Sequence, residues 1–233
     1  MSDANNNSYG SLSSAPDGKI IDKIFSYVIS VLQDFEGEAD NNENYLTNEL
    51  CKSLSHKKPP GFPFFFHHQN LEDSVDNTST DFAVYGTFEY AELTNQSGDN
   101  FPLVKFEAKR LCSTLPKKRE KEYVIGEYKN GSQINNSGGI ERFKNLRHGE
   151  NAPHAGLIGY IQSDTSKSWL KKINKWIQDE INNPHDLSLT WNDNDLLISV
   201  PNWSNPKIAY YKSTPQRKNK TQLSMRHIWI KFN

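Results

Sequence analysis

Residues 101–111 read FPLVKFEAKRL, an apolar run of strand type that carries Glu107 and Lys109 with only Ala108 between them. Successive side chains of a strand point to opposite faces. The run therefore commits one face to a core and obliges the other to house a carboxylate and an amine two residues apart. The preceding DFAVYGTFEYAEL, starting at Asp81, is rich in Phe, Tyr and Val and reads as another strand, with TNQSGDN as the turn between them. If the two pair antiparallel, Asp81 comes close to Glu107.

Around this pair the chain alternates helical and strand-like segments. Residues 1–17, rich in Ser and Asn, read as a flexible tail. Ile20, Ile21, Ile24, Phe25, Val28, Ile29, Val31 and Leu32 recur at helical spacing, which sets 18–42 apart as an N-terminal helical arm. NENYLTNELCKSL predicts a second helix with Glu43, Leu46, Leu50 and Leu54 on or near one face. Pro59, Pro60, Gly61 and Pro63 stop it, and 69–80 read as a polar loop. Residues 117–128 are compatible with a helix, NGSQINNSGG with a loop, and IERFKNL with a short helix. AGLIGYIQ predicts a central strand, and 163–183 a helix with Trp169, Leu170, Ile173, Trp176, Ile177 and Ile181 inward and Ser163 or Asp164 as N-cap. LLISV, KIAYYK and HIWIKF add strands. This order predicts an α/β (α+β) domain over 43–233, a mixed central sheet flanked by helices.

With 233 residues and a formal net charge of -1, nothing global marks a nucleic-acid binder. Charge is nevertheless segregated: 34–44 are acidic, whereas 105–121 and 207–220 are basic, so a basic groove remains available. Cys51 and Cys112 stand far apart in no metal or disulfide pattern, which fits a reducing compartment. With no signal-peptide start and no apolar run of roughly 18 residues, the expected location is cytoplasmic and away from membranes.

Two carboxylates brought together make an oxygen site for a hard cation such as Mg²⁺. An adjacent lysine can orient or deprotonate a water, or steady charge on a phosphate. The acid-x-Lys pattern occurs three times, at Asp17–Lys19, Glu127–Lys129 and Glu107–Lys109, but only the last lies in an apolar strand that follows another strand opening on an acid.

Asp81-Phe-Ala-Val-Tyr-Gly followed by Phe106-Glu107-Ala108-Lys109 resembles the PD-(D/E)xK, or restriction-endonuclease-like, nuclease superfamily. Thr80 stands where that pattern usually has proline, a residue that contributes no ligand. The resemblance implies a core of helix, three-stranded meander, helix and strand across 43–162. It implies Asp81 and Glu107 as metal ligands, the Ala108 carbonyl as a further ligand, Lys109 as the catalytic lysine, and Glu43 (with Glu49 as substitute) as the helix acid. Mg²⁺ or Mn²⁺ is the implied cofactor and DNA the implied substrate, with RNA as an alternative. Small nucleases of this type often act in antiviral defence, as homo-oligomers or beside a partner that supplies sensing or ATPase function. A non-catalytic interaction or nucleic-acid-binding protein with the same fold is the rival expectation.

Arg110, Lys117 and Lys118 directly follow the acid-x-Lys triplet and are candidates for tracking a phosphate backbone. Gly138-Gly139 opening a helix offers free N–H groups for a phosphate, beside Arg142, Lys144 and Arg147. His67, His68 and His227 read as packing residues, and no Walker-type loop is present.

Overall fold

A computed structural model describes residues 18–73, 78–94 and 102–232. The predicted tail and most of the turn at 94–100 lie outside the described residues. Among the described residues the α-helices are α1 (Gly18–Gln33), α2 (Glu43–His56), α3 (Phe88–Thr94), α4 (Gly139–Lys144) and α5 (Ser166–Asn182). The strands are β1 (Phe64–Asp73), β2 (Thr78–Gly86), β3 (Val104–Leu111), β4 (Glu127–Lys129), β5 (Ser132–Asn135), β6 (His154–Ile161), β7 (Ile198–Ser199), β8 (Ile208–Ser213) and β9 (Ser224–Lys231). Seven strands form one mixed sheet in the order β1-β2-β3-β6-β9-β8-β7. β3, β6 and β9 run parallel at its centre, and the flanking pairs are antiparallel.

Alternation along β3 divides the molecule into two layers. Val104, Phe106 and Ala108 join a core built with α1 and α2, in which Phe106 stacks on Phe82 at 4.5 Å and meets Phe25 at 5.3 Å. The segment set apart as an arm is thus part of this core: Ile21, Ile24, Phe25, Val28, Ile29, Val31 and Leu32 of α1 are buried. At about 1.5–3 kcal/mol for each large apolar side chain removed from water, this face is what holds the helix against the sheet. A second core lies across the sheet, where Leu111, Leu157, Ile161 and Trp229 meet Trp169, Ile173 and Ile177 of α5.

Several local expectations change. In the polar stretch 69–80 the described residues are strand rather than loop, because β1 runs to Asp73 and β2 starts at Thr78. β1 is the sheet's outer strand, and an edge tolerates polar residues that a central strand does not. TFEYAEL leaves the strand and coils as α3, burying Tyr90. Residues 117–128 hold one 3₁₀ turn at Lys117–Arg119 and the start of β4, not a helix. The expected loop at 130–139 contains β5, joined to β4 by Asn130 (φ 52) and Gly131 (φ 77). Positive φ at both turn residues gives the tight hairpin that Asn-Gly favours. Thr165, rather than Ser163 or Asp164, caps α5 by accepting from the Ser168 N–H. Among the described residues no helix is long and apolar enough to cross a membrane.

Gly156 stands opposite Phe106 in the β3–β6 register, and a Cβ there would meet the Phe106 ring at 2.1 Å. Phe106 is already held between Phe82 and Phe25 and cannot retreat. Gly156→Ala is expected to destabilise the fold by about 1–3 kcal/mol, read as a lower urea midpoint at unchanged slope.

His227 is buried with Nδ1 2.8 Å from Tyr123 Oη and Nε2 3.0 Å from Ser213 Oγ. Burial pushes the imidazole down to about 3. The unfolded chain takes up this proton near pH 6.5 and the folded chain does not, so stability is full above that pH and lost as pH falls. The expected loss is up to about 1.4 kcal/mol per pH unit from this residue. His227→Asn should flatten the stability profile between pH 6.5 and 4, measured by urea unfolding.

Candidate active site

The β2–β3 ladder pairs Val84 with Val104, Ala83 with Lys105 and Phe82 with Phe106, then stops. Beyond that point the Asp81 carboxylate accepts from the Ala108 N–H at 2.6 Å, replacing the partner that Ala108 lacks on the β2 side. The Ala108 carbonyl faces the same edge of β3 as its N–H. Asp81 and Glu107 thus come together as the alternation requires, one from each strand.

Glu107 and Lys109 share the face of β3 opposite Phe106 and Ala108, and Lys109 Nζ is 2.8 Å from Glu107 Oε1. Glu43, the first residue of α2, reaches this point from the other layer. One of its oxygens takes Lys109 Nζ at 3.3 Å, and the other takes the Arg110 N–H at 3.1 Å. Leu46, Leu50 and Leu54 bury the same helix in the first core, which fixes where its first residue points. The four residues singled out in the sequence are therefore assembled by α2, β2 and β3.

Charge in this pocket is not matched. Burial alone would raise the Glu107 carboxyl, but Lys109, His148 and Arg142 together hold it well below the usual carboxylate range. Burial opposes the Lys109 charge, yet Glu107, Glu43 and Asp81 push its ammonium above the ordinary lysine value. Asp81 is the unbalanced member. Burial, then Glu107, and more weakly Glu43, outweigh Lys109 and the Ala108 N–H and push it up to about 8.

Hard oxygen donors are the right chemistry for Mg²⁺ or Mn²⁺. Glu107 Oε2 is buried with no hydrogen-bond partner, an arrangement that a cation would resolve. Asp81, Glu107 and the Ala108 carbonyl therefore fit such an ion in kind. Against this, no group of three or more His, Cys, Asp or Glu among the described residues stands in metal-holding geometry. Lys109 and Arg142, the latter at 2.9 Å, both occupy Glu107 Oε1.

The basic candidates separate. Lys117 and Lys118 are exposed, and Arg110 is half-buried with an Nε that lacks a hydrogen-bond partner. Arg142 belongs to the pocket itself, bridging Glu107 to the Asn136 carbonyl at 2.5 Å. Lys144 is a correction: it is fully buried, ion-paired to Asp195 and donating to the Thr190 carbonyl at 2.9 Å, so it cannot reach a phosphate. The Gly138-Gly139 reading is corrected too. The N–H groups of Gly139, Ile140 and Glu141 already donate to the carbonyls of Glu122, Tyr123 and Val124. A Cβ on Gly138 would sit 2.4 Å from the Gly126 nitrogen, so close backbone packing explains that glycine. Glu49 pairs with Lys52 and takes no part.

Two residues around the site, His148 and Glu72, escaped sequence reasoning. His148 places Nδ1 3.2 Å from Glu107 Oε2. Glu72 of β1 holds Lys105 at 2.6 Å and accepts from the Gly149 N–H at 3.1 Å. The one available signal was Lys105, which continues the Glu107–Lys109 alternation on the same face.

Compared with protein-family models, curated proteins and solved structures, the chain matches none.

Proposed function

We propose that this chain is a divalent-metal-dependent nuclease with a restriction-endonuclease-like core, acting on the phosphodiester bonds of DNA. The observation that carries the reading is the meeting of Glu43, Asp81, Glu107 and Lys109 where β2 parts from β3. The order α2, β1, β2, α3, β3, β4, β5, α4, β6, with β1, β2 and β3 antiparallel neighbours and β3 parallel to β6, supports it as well. Asp81, Glu107 and the Ala108 carbonyl would hold the ion. A bound Mg²⁺ or Mn²⁺ supplies an activated water and neutralises charge on the phosphate. Lys109, kept cationic by three carboxylates, serves as a hydrogen-bond donor to the reacting oxygens rather than as a base. Arg142 holds Glu107 from α4, and Arg110, Lys117 and Lys118 offer charge to the flanking backbone. The proposed setting is a homo-oligomer, or a complex whose partner supplies sensing or ATPase function in antiviral defence.

The test is a panel of plasmid, linear duplex, single-stranded DNA and structured RNA, each with Mg²⁺, Mn²⁺ or chelator. Cleavage of DNA that chelator abolishes is the expected result, and cleavage confined to RNA would reassign the substrate. A second reading, a non-catalytic nucleic-acid-binding protein, is favoured by the two cations that cover Glu107 Oε1. It predicts retention of DNA without cutting under every metal condition.

A further inference from the structure

We infer that His148 is a nitrogen ligand of the same cation site, so that the site selects Mn²⁺ over Mg²⁺; this rests on reading Glu107 as a cation ligand. Glu107 and His148 are 2% and 1% exposed. Glu107 Oε2 and His148 Nδ1 lie 3.2 Å apart, an ion pair only when the imidazole is protonated, and in a geometry that gives neither atom a hydrogen bond. Two buried polar atoms this close, with no hydrogen bond to each other or to any other group, mark a place where a third species completes both.

The spacing suits an ion. Donors about 2.1 Å from one octahedral cation and at right angles to each other are about 3 Å apart. The other Glu107 oxygen is taken by Lys109 and Arg142, so Oε2 is the side left for a ligand. Mg²⁺ prefers oxygen donors, whereas an imidazole nitrogen favours transition ions.

His148 is held in place from several directions. Its backbone N–H donates to the Arg142 carbonyl at 3.0 Å, and its ring stands edge-on to Phe143 at 5.7 Å. The next residue, Gly149 (φ 63), turns the chain so that its N–H reaches Glu72 Oε1 at 3.1 Å. Arg217 then grips the Glu150 carbonyl at 3.0 Å. Glu72 is itself locked by Lys105 at 2.6 Å. A loop built this firmly delivers the imidazole to one place.

The test uses Mn²⁺ alone as probe with the full chain. Pulsed electron paramagnetic resonance of the bound ion should show echo modulation from a directly bonded ¹⁴N. His148→Gln should lose that modulation and bind Mn²⁺ at least about 10-fold more weakly, with Mg²⁺ binding changed less than about 3-fold. The wild-type spectrum decides the matter even if His148→Gln fails to fold. Mn²⁺ binding that Glu107→Gln abolishes, but that shows no nitrogen modulation in the wild type, would overturn the inference and leave the cation site standing. Equal weakening of Mn²⁺ and Mg²⁺ would also overturn it, since His148 would then act only by holding Glu107. Absence of any Mn²⁺ binding would remove inference and cation site together. Nitrogen-ligated Mn²⁺ without cleavage of any nucleic acid would sink the nuclease reading alone.

Discussion

Asp81→Asn is expected to abolish DNA cleavage, by about 10³-fold or more, while making the metal-free protein more stable at alkaline pH. The first effect follows from losing one of the two proposed carboxylate ligands, equivalent to about 4 kcal/mol of barrier. The second follows from the unbalanced charge. In the folded chain Asp81 keeps its proton up to about 8, because burial and Glu107 oppose its ionisation. The unfolded chain releases that proton near pH 3.9. Folding stability from this group is therefore fully present at low pH and lost as pH rises toward 8, at up to about 1.4 kcal/mol per unit. Asparagine can still accept from the Ala108 N–H but has no proton to lose. Urea unfolding in chelator at pH 5 and pH 8.5 should show the variant gaining on the wild type at the higher pH. Parallel profiles would mean that Asp81 is not electrostatically strained.

Lys109→Met is expected to reduce cleavage by about 10²–10³-fold and to destabilise the fold. Methionine keeps the buried stem packed, so the loss isolates the ammonium. Without it, Glu43 loses its 3.3 Å partner, while Glu107 retains Arg142 at 2.9 Å and His148. Breaking a buried ion pair from one side costs about 3–5 kcal/mol when nothing replaces the partner. The remaining Arg142 contact should keep the cost below that range. Circular dichroism and thermal melting of the purified variant check the fold, and plasmid nicking checks the activity. Full activity in a folded variant would take Lys109 out of the chemistry.

The parts of this fold that were legible are those where period and burial coincide. Phe106 and Ala108 against Glu107 and Lys109 showed a strand with one apolar and one charged face, and the coordinates place them so. Leu46, Leu50 and Leu54 at helical spacing located Glu43 correctly. β1 was missed because an edge strand need not be apolar, and the polar end of FFFHHQNLED reads as a loop. α3 was missed because its aromatic residues have strand propensity while its seven residues are too few to establish a helical period. Lys144 resembled a surface cation, since nothing nearby in the sequence announces Asp195, its buried partner. His148 belongs to an irregular segment where no periodicity operates, and only the folded chain brings it to Glu107.

The most direct measurement is nicking of supercoiled plasmid at saturating Mn²⁺ by the wild type, Glu107→Gln and Lys109→Met, prepared side by side. The account predicts relaxation by the wild type, suppressed by chelator, and none above background by either variant. Equal nicking by all three proteins, or none by a folded wild type with either Mn²⁺ or Mg²⁺, would contradict it.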